Sequence, residues 1–324
     1  MNGPSPWAWV LVCTAACTPA HSISDSEPEV GASSGGEAGF VDGEDDARRV
    51  RMLDRRLAHH RHPYEELAGN ARELLEHHCP MGAPLLGDDW NQNVARVVAR
   101  RGYALLHSSE DRIPVFVCER LTVEALNGTF PRPDPEPFHE DQSLPANERA
   151  TLADYRGSGY DRGHLAPSAD FAHDQELQAE SFALSNMVPQ VGVGFNRSTW
   201  AALEEQVREW LRARGGGWVI SGSIFHDPAE ADPATADGWV EFERIGPNQV
   251  AVPTHLFKIV VAEVAGRVEA LAFVMANERH ADTQAFRRAI ESIDWIEAAT
   301  GIDFMPQLGA EDAARVESST NGDW

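Results

Sequence analysis

The sequence predicts an α+β fold, and three features carry that reading. Two strand-like runs in the middle of the chain flank a short polar hairpin signal. A helical stretch near residue 200 is closed by three glycines, and the last third supplies further short β-rich runs before returning to helix. In chain order, Val94–Leu106 (VARVVARRGYALL) and Ile113–Leu121 (IPVFVCERL) read as two strands joined across SSEDR. The next stretch, GTFPRPDPEPFHEDQSLP, cannot hold a regular ladder, because proline offers no N–H. Phe182–Val188 reads as a strand or extended segment. After Pro189 the turn-like QVGVGFN leads into a helix over Asn196–Arg214 that Gly215, Gly216 and Gly217 close. Trp218–Ser221, Val250–Val252, Leu256–Val261 and Val268–Met275 read as strands. A helix near Thr283–Ser292 follows, then a last short one from Asp294 with Glu297 at capping-box spacing. No internal repeat and no second domain boundary is visible.

The 324 residues carry 27 Lys and Arg against 51 Asp and Glu, a formal net charge of −24, with 42% apolar residues. That apolar content builds a sizeable core in one large or two ordinary domains and excludes a disordered chain. Near-average Gly and Pro without a G-X-Y period exclude a fibrous protein, and four cysteines are too few for a disulfide-held scaffold. The charge by itself argues against a nucleic-acid partner, whose phosphates select a basic footprint. Part of the acid, however, lies at the ends. Asp25–Asp46 contains no basic residue and surrounds the tract ASSGGEAG, and the tail after Gly309 adds Glu311, Asp312, Glu317 and Asp323.

Trp7–Cys17 (WAWVLVCTAAC) has the length of a signal-peptide core and is too short to span a bilayer. Export is therefore expected, to the periplasm, the outer membrane or the medium. Residues 1–20 form the leader, cleaved after Ala20 or lipidated at Cys17, the latter giving a membrane anchor. Residues 21–47 form an acidic linker, and 48–78 a helical extension in which Arg48, Arg49, Arg51, Arg55, Arg56 and Arg61 can pair with it. Residues 79–308 form the folded domain and 309–324 an acidic flexible tail. Export leaves Cys79 and Cys118 as the cysteines of the folded part, and a disulfide and two buried free thiols both stay open. His59, His60, His62, His77 and His78 match no zinc template and read as surface-helix histidines.

The chemistry concentrates in two places. Thr151–Phe171 (TLADYRGSGYDRGHLAPSADF) has the composition of a site loop: Gly157, Gly159 and Gly163 permit tight backbone, while Asp161, Arg162 and His164 supply an acid, a fixed cation and a titratable base. On the helix, Asn196, Trp200, Glu204 and Arg208 recur every four residues along one stripe. An amide, an acid and an arginine suit a site facing a metal and a polyanion. Taken alone, the stripe reads sooner as an exposed Glu204–Arg208 pair beside a packed Trp200.

The string DRGH at Asp161–His164 stands inside GSGYDRGHLAPSADF and is followed by SNMVPQ, by Phe195 and Asn196, and by WxxLE at Trp200–Glu204. In order and spacing these resemble the DNA/RNA non-specific endonucleases, the ββα-metal nucleases, from about Cys79 to Leu308, including VPTHLFKIV and TGIDFMPQL. The resemblance implies a ββα-metal (His-Me finger) fold with a central, mainly antiparallel sheet flanked by helices. It implies metal-dependent hydrolysis of DNA and RNA phosphodiesters to 5′-phosphate products, without sugar specificity. By motif, His164 is the general base, Asn196 the direct Mg²⁺ ligand, Glu204 an acid holding metal-bound water, and Arg162 and Arg208 the phosphate contacts. These residue types fit the chemistry. Imidazole titrates near neutral pH, and Mg²⁺ keeps most of its waters, with Mn²⁺ the expected substitute. Asp161 is expected either to orient His164 or to bond backbone. The family often has a further arginine upstream, for which Arg132 stands in an uncertain register and is left unassigned. Family members often dimerise, so a homodimer is a candidate assembly. A local basic groove on an acidic surface reconciles the charge with a polyanionic substrate. A nucleic-acid-binding module without catalysis, and a narrower phosphodiesterase or toxin of the same fold, are the competing readings.

Overall fold

Apolar runs from the middle and the end of the chain meet in one sheet. The computed structural model describes residues 49–51, 64, 67, 69–79, 81–87, 95–237 and 239–322, all within the unit Gly43–Trp324. Its main strands are β1 (Ala95–Ala99), β2 (Ala104–Ser108), β3 (Ile113–Leu121), β4 (Tyr160–His164), β5 (Met187–Val191), β6 (Gly217–Ile224), β7 (His255–Val264), β8 (Arg267–Ala276) and β9 (Ile290–Glu291). Seven of them form the central sheet in the order β9-β8-β7-β6-β3-β2-β1, every neighbouring pair antiparallel. β4 and β5 form a separate antiparallel hairpin.

Side chains alternate across a strand, so the sheet divides two apolar cores. Val117 and Leu121 of β3, Val219 of β6 and Leu256 and Val260 of β7 face one side, with Phe195, Trp200, Leu203, Val207 and Leu211. Phe116, Cys118, Ile220, Phe257, Ile259 and Val261 face the other. Helix α1 (Asn70–His78) contributes Leu75 there, α3 (Ile293–Thr300) contributes Ile293 and Ile296, and α4 (Ala310–Val316) contributes Val316. The first core belongs to helix α2 (Ala201–Arg214), whose Leu203, Val207 and Leu211 recur at helical spacing. Gly215 ends α2 in the left-handed conformation, and the Gly216 N–H closes back on the Leu211 carbonyl.

Several sequence expectations are corrected. Val94–Leu106 is not one strand but β1 and β2, because Arg100 N–H turns back onto the Tyr103 carbonyl at 2.8 Å. Phe182–Val188 holds a short helical turn, Leu184–Asn186, before β5 begins. No helix covers Thr283–Ser292. A single turn, Ala285–Arg288, buries Phe286, and Ile290 pairs with Phe273 at the sheet edge. The last of the expected helices is capped by Ser292, which accepts the Trp295 N–H, and Glu297 instead accepts the Phe304 N–H. Part of the tail expected to be flexible folds as α4, which tucks Val316 inside, and Arg315 donates to the Val268 carbonyl. In the expected helical extension, Arg49–Arg51 pairs as a strand with Trp239–Glu241. His78 is buried, accepting the Arg120 N–H on Nδ1 and contacting the Arg101 carbonyl through Nε2. The leader, the acidic linker, Cys17, Arg48, Arg55, Arg56, Arg61, His59, His60 and His62 lie outside the described residues. Among the described residues no helix is long and apolar enough to cross a membrane.

Candidate active site

Strand, strand and helix assemble the site. Asp161 of β4 lies opposite Gln190 of β5, and His164 opposite Met187. Alternation sends Tyr160, Arg162 and His164 to one face and Asp161 and Gly163 to the other. Gly163 is required by packing rather than by turn geometry, since a Cβ there would stand 2.1 Å from Cδ of the buried Gln190. After β5 the chain passes through a kinked helical segment, Gly192–Trp200, into α2. Gly194 makes the kink with φ +91°, and a Cβ there would strike Arg279 and approach the His280 carbonyl.

The cleft beside this unit has a volume of about 730 Å³, and its lining includes Arg162, His164, Asn196 and Glu204. His164 is only 7% exposed, its ring edge-on to Phe182 at 4.9 Å and 5.7 Å from Phe138. Burial, reinforced by Arg132 and Arg162, pulls its pKa down to about 3, so the imidazole is neutral at neutral pH. Its Nε2 is buried without a hydrogen-bond partner. The Arg162 guanidinium lies 4.1 Å over the Phe138 ring.

Asp161 accepts the Asn196 Nδ2 hydrogen at 2.8 Å and Arg197 Nε–H at 2.7 Å, and a second Arg197 nitrogen reaches its other oxygen. Burial raises this carboxyl, yet the bonds from Arg197 and Asn196 hold it below its ordinary value. A carboxylate only accepts, so the Asn196 amide nitrogen must face Asp161, and its carbonyl oxygen is what Asn196 offers elsewhere. Burial pushes the Glu204 carboxyl up to about 7 against the opposing pull of Lys258 and Arg208. Two oxygen donors, one amide and one carboxylate, suit a hard cation that retains water and suit zinc poorly.

A match to the DNA/RNA non-specific endonuclease family covers residues 82–311. The chain belongs to that family. It is 37% identical over 230 residues to mitochondrial endonuclease G of Bos taurus, covering 71% of this chain and 75% of that one. It is 38% identical over 236 residues to a nuclease of Syncephalastrum racemosum, with 70% and 72% covered. A solved structure of an EndoG/EndoGI complex, described as the mechanism of EndoG inhibition, aligns with TM-score 0.64 at 31% identity, covering 76% of this chain and 96% of that one. The protein is thus a DNA/RNA endonuclease, a hydrolase of phosphodiester bonds.

In this endonuclease Arg162, His164, Asn196 and Glu204 share the cleft, but Arg208 is not among the lining residues. Expected at the phosphate, Arg208 is instead buried, donating to Asp170 at 2.8 Å and to Glu205 at 2.7 Å. Asp161 does not orient His164: it faces away from it and holds Asn196 and Arg197. Arg132, left unassigned from sequence, lines the cleft, its guanidinium 5.0 Å over the Phe182 ring and donating to Ser168 and Glu136. Arg156 and Arg197 were missed altogether. With them the lining carries Arg132, Arg156, Arg162 and Arg197 against Glu136, Asp161 and Glu204, a locally cationic balance on an acidic chain. Cys79 and Cys118 are both free thiols and both buried.

Proposed function

We propose that this endonuclease is Mg²⁺-dependent and cleaves DNA and RNA alike, leaving 5′-phosphates, with His164 as the general base. The observation that carries the reading is the meeting, in one cleft, of a neutral His164 packed by phenylalanines with an Asn196 whose amide is set by Asp161. Asn196 and Glu204 would hold the cation, Asn196 directly and Glu204 through water. When bound, the cation supplies charge stabilisation at the scissile phosphate and the leaving oxygen.

The chain's own residues do the rest. His164 takes a proton from the attacking water, and an incoming phosphate favours its protonated form by offsetting the field of Arg132 and Arg162. Arg162, held flat by Phe138, and Arg132 clamp the phosphate oxygens. Contacts to phosphate carry no base information, so sequence preference is weak. Mn²⁺ is the expected substitute metal. The apolar run at residues 7–17 supports targeting of the chain out of the compartment where it is made, and subcellular fractionation reads the address.

The test incubates the chain with plasmid DNA and with structured RNA, in Mg²⁺ or in EDTA, beside His164→Ala. Cleavage of both substrates that requires the metal and is lost in the variant is expected. A folded wild-type sample inert in Mg²⁺, Mn²⁺ and Ca²⁺, or a fully active His164→Ala, overturns the proposal.

A further inference from the structure

We propose that Arg156 is a specificity-determining residue of this endonuclease: it binds a phosphate flanking the scissile one, so that a run of nucleotides is held rather than a lone phosphodiester. The inference rests on the reading that places the scissile phosphate at His164. Four arginines line the cleft, and their charges are disposed of differently. Arg132 donates to Glu136 and Ser168, Arg197 is paired with Asp161, and Arg162 lies over the Phe138 ring. Arg156 is exposed, and among the described residues it has no hydrogen bond, ion pair or ring contact. A guanidinium in the wall of a nucleic-acid cleft, with no carboxylate to neutralise it, is open to a phosphate.

The backbone of Arg156 is nonetheless fixed on both sides. It ends the helical turn Leu152–Tyr155, in which Asp154 accepts the Thr151 N–H at 2.7 Å and the Asn248 N–H at 2.8 Å. Tyr155 is buried, and its hydroxyl donates to the Met187 carbonyl of β5 at 3.4 Å. Beyond Arg156, Ser158 donates to the Tyr155 carbonyl at 2.9 Å and accepts the Tyr160 N–H at 3.1 Å. The charge is therefore presented from an ordered wall, which lowers the entropy lost on binding. Its place along the cleft separates it from the chemistry. β4 advances about 13 Å from Tyr160 to His164, and Arg156 enters the wall from before the Tyr160 end. A contact so placed reads the continuity of the sugar-phosphate chain and carries no base information.

The full chain is compared with Arg156→Gln, Arg156→Lys and a charge control, Arg267→Gln, which is exposed at the start of β8 and outside the cleft lining. The probe is a single-stranded DNA oligonucleotide about a dozen nucleotides long. Binding is titrated by fluorescence anisotropy in EDTA over a series of salt concentrations, and KM and kcat are measured in Mg²⁺. Arg156→Gln is expected to shallow the slope of log affinity against log salt by about 0.7, the value of one phosphate contact on a single strand. Its KM is expected to rise about tenfold with kcat within about twofold of wild type. Arg156→Lys recovers the slope, and Arg267→Gln matches the wild type. An intact oligonucleotide with an unchanged slope and KM in Arg156→Gln overturns the inference alone. So does a fall in kcat at constant KM, which places Arg156 at the reacting phosphate, or an equal loss in Arg267→Gln, which makes the effect one of net charge. Cleavage of the oligonucleotide in EDTA, or by His164→Ala at the wild-type rate, overturns the reading on which the inference rests, and the inference with it.

Discussion

Replacing Gly163 with alanine probes the closest approach in the hairpin that carries His164. The added Cβ stands 2.1 Å from Gln190 Cδ and 2.4 Å from its Cγ and Oε1. Gln190 has no exposed surface into which to swing. Overpacking of this kind costs about 1–3 kcal/mol, set against the roughly 0.5–1 kcal/mol by which alanine outperforms glycine within a strand. Gly163→Ala alone is therefore expected to destabilise by roughly 1–2 kcal/mol. In a Gln190→Ala background the clash is gone, and the same substitution becomes stabilising by about 0.5–1 kcal/mol. The coupling in the double-mutant cycle is then about 1–3 kcal/mol, read from urea unfolding of the four proteins. Because His164 is the next residue and Asp161 lies two before, cleavage by Gly163→Ala is expected to slow by about tenfold or more and to recover partly in the double variant. An equal stability loss in both backgrounds would refute the steric argument.

Three further outcomes follow from the geometry. Arg208→Ala leaves Asp170 buried without its partner, so it is expected to cost about 3–5 kcal/mol in urea unfolding; a fully stable variant that had lost only activity would put Arg208 back at the substrate. Arg197 is 66% exposed in its pair with Asp161, so Arg197→Ala is expected to change stability by less than about 1 kcal/mol. On the proposed reading of Asn196 as the cation's ligand, the Mg²⁺ half-saturation is nevertheless expected to rise several-fold, measured by cleavage and by calorimetric metal titration, because Asp161, which sets the Asn196 amide, loses its ion-pair partner. Burial raises the Asp141 carboxyl, but Arg100, Ser143 and Ser185 more than offset this and bring it down to about 2. A depressed folded-state value means stabilisation that is present above about pH 4 and lost as pH falls toward about 2. Asp141→Asn should therefore flatten the pH dependence of unfolding by roughly 2 kcal/mol across that window, and an unchanged slope would remove Asp141 from the account.

The sequence by itself determined the strand-rich α+β character, the β2–β3 hairpin, the helix ended at Gly215 and the residues of two motifs. These depend on short-range chemistry: apolar runs, helical spacing and glycine at a left-handed terminus. Asp161–His164 and Asn196–Glu204 stood out because the first carries unlike polar groups within one strand and the second carries them at four-residue spacing along one helical stripe. Only the tertiary structure decided how they are used. Arg208 sits four residues from Glu204, yet its direction is set by Asp170, 38 residues earlier in the chain. Arg197 belongs to the site because Asp161, 36 residues before it on β4, accepts a hydrogen bond from its guanidinium. Arg132 reaches the cleft from a proline-rich loop without periodicity, and only packing against Phe182 and Ser168 places it. The break between β1 and β2, and the strand and turn where a helix was expected at 283–292, likewise arise from long-range pairing and burial that outweigh local preference.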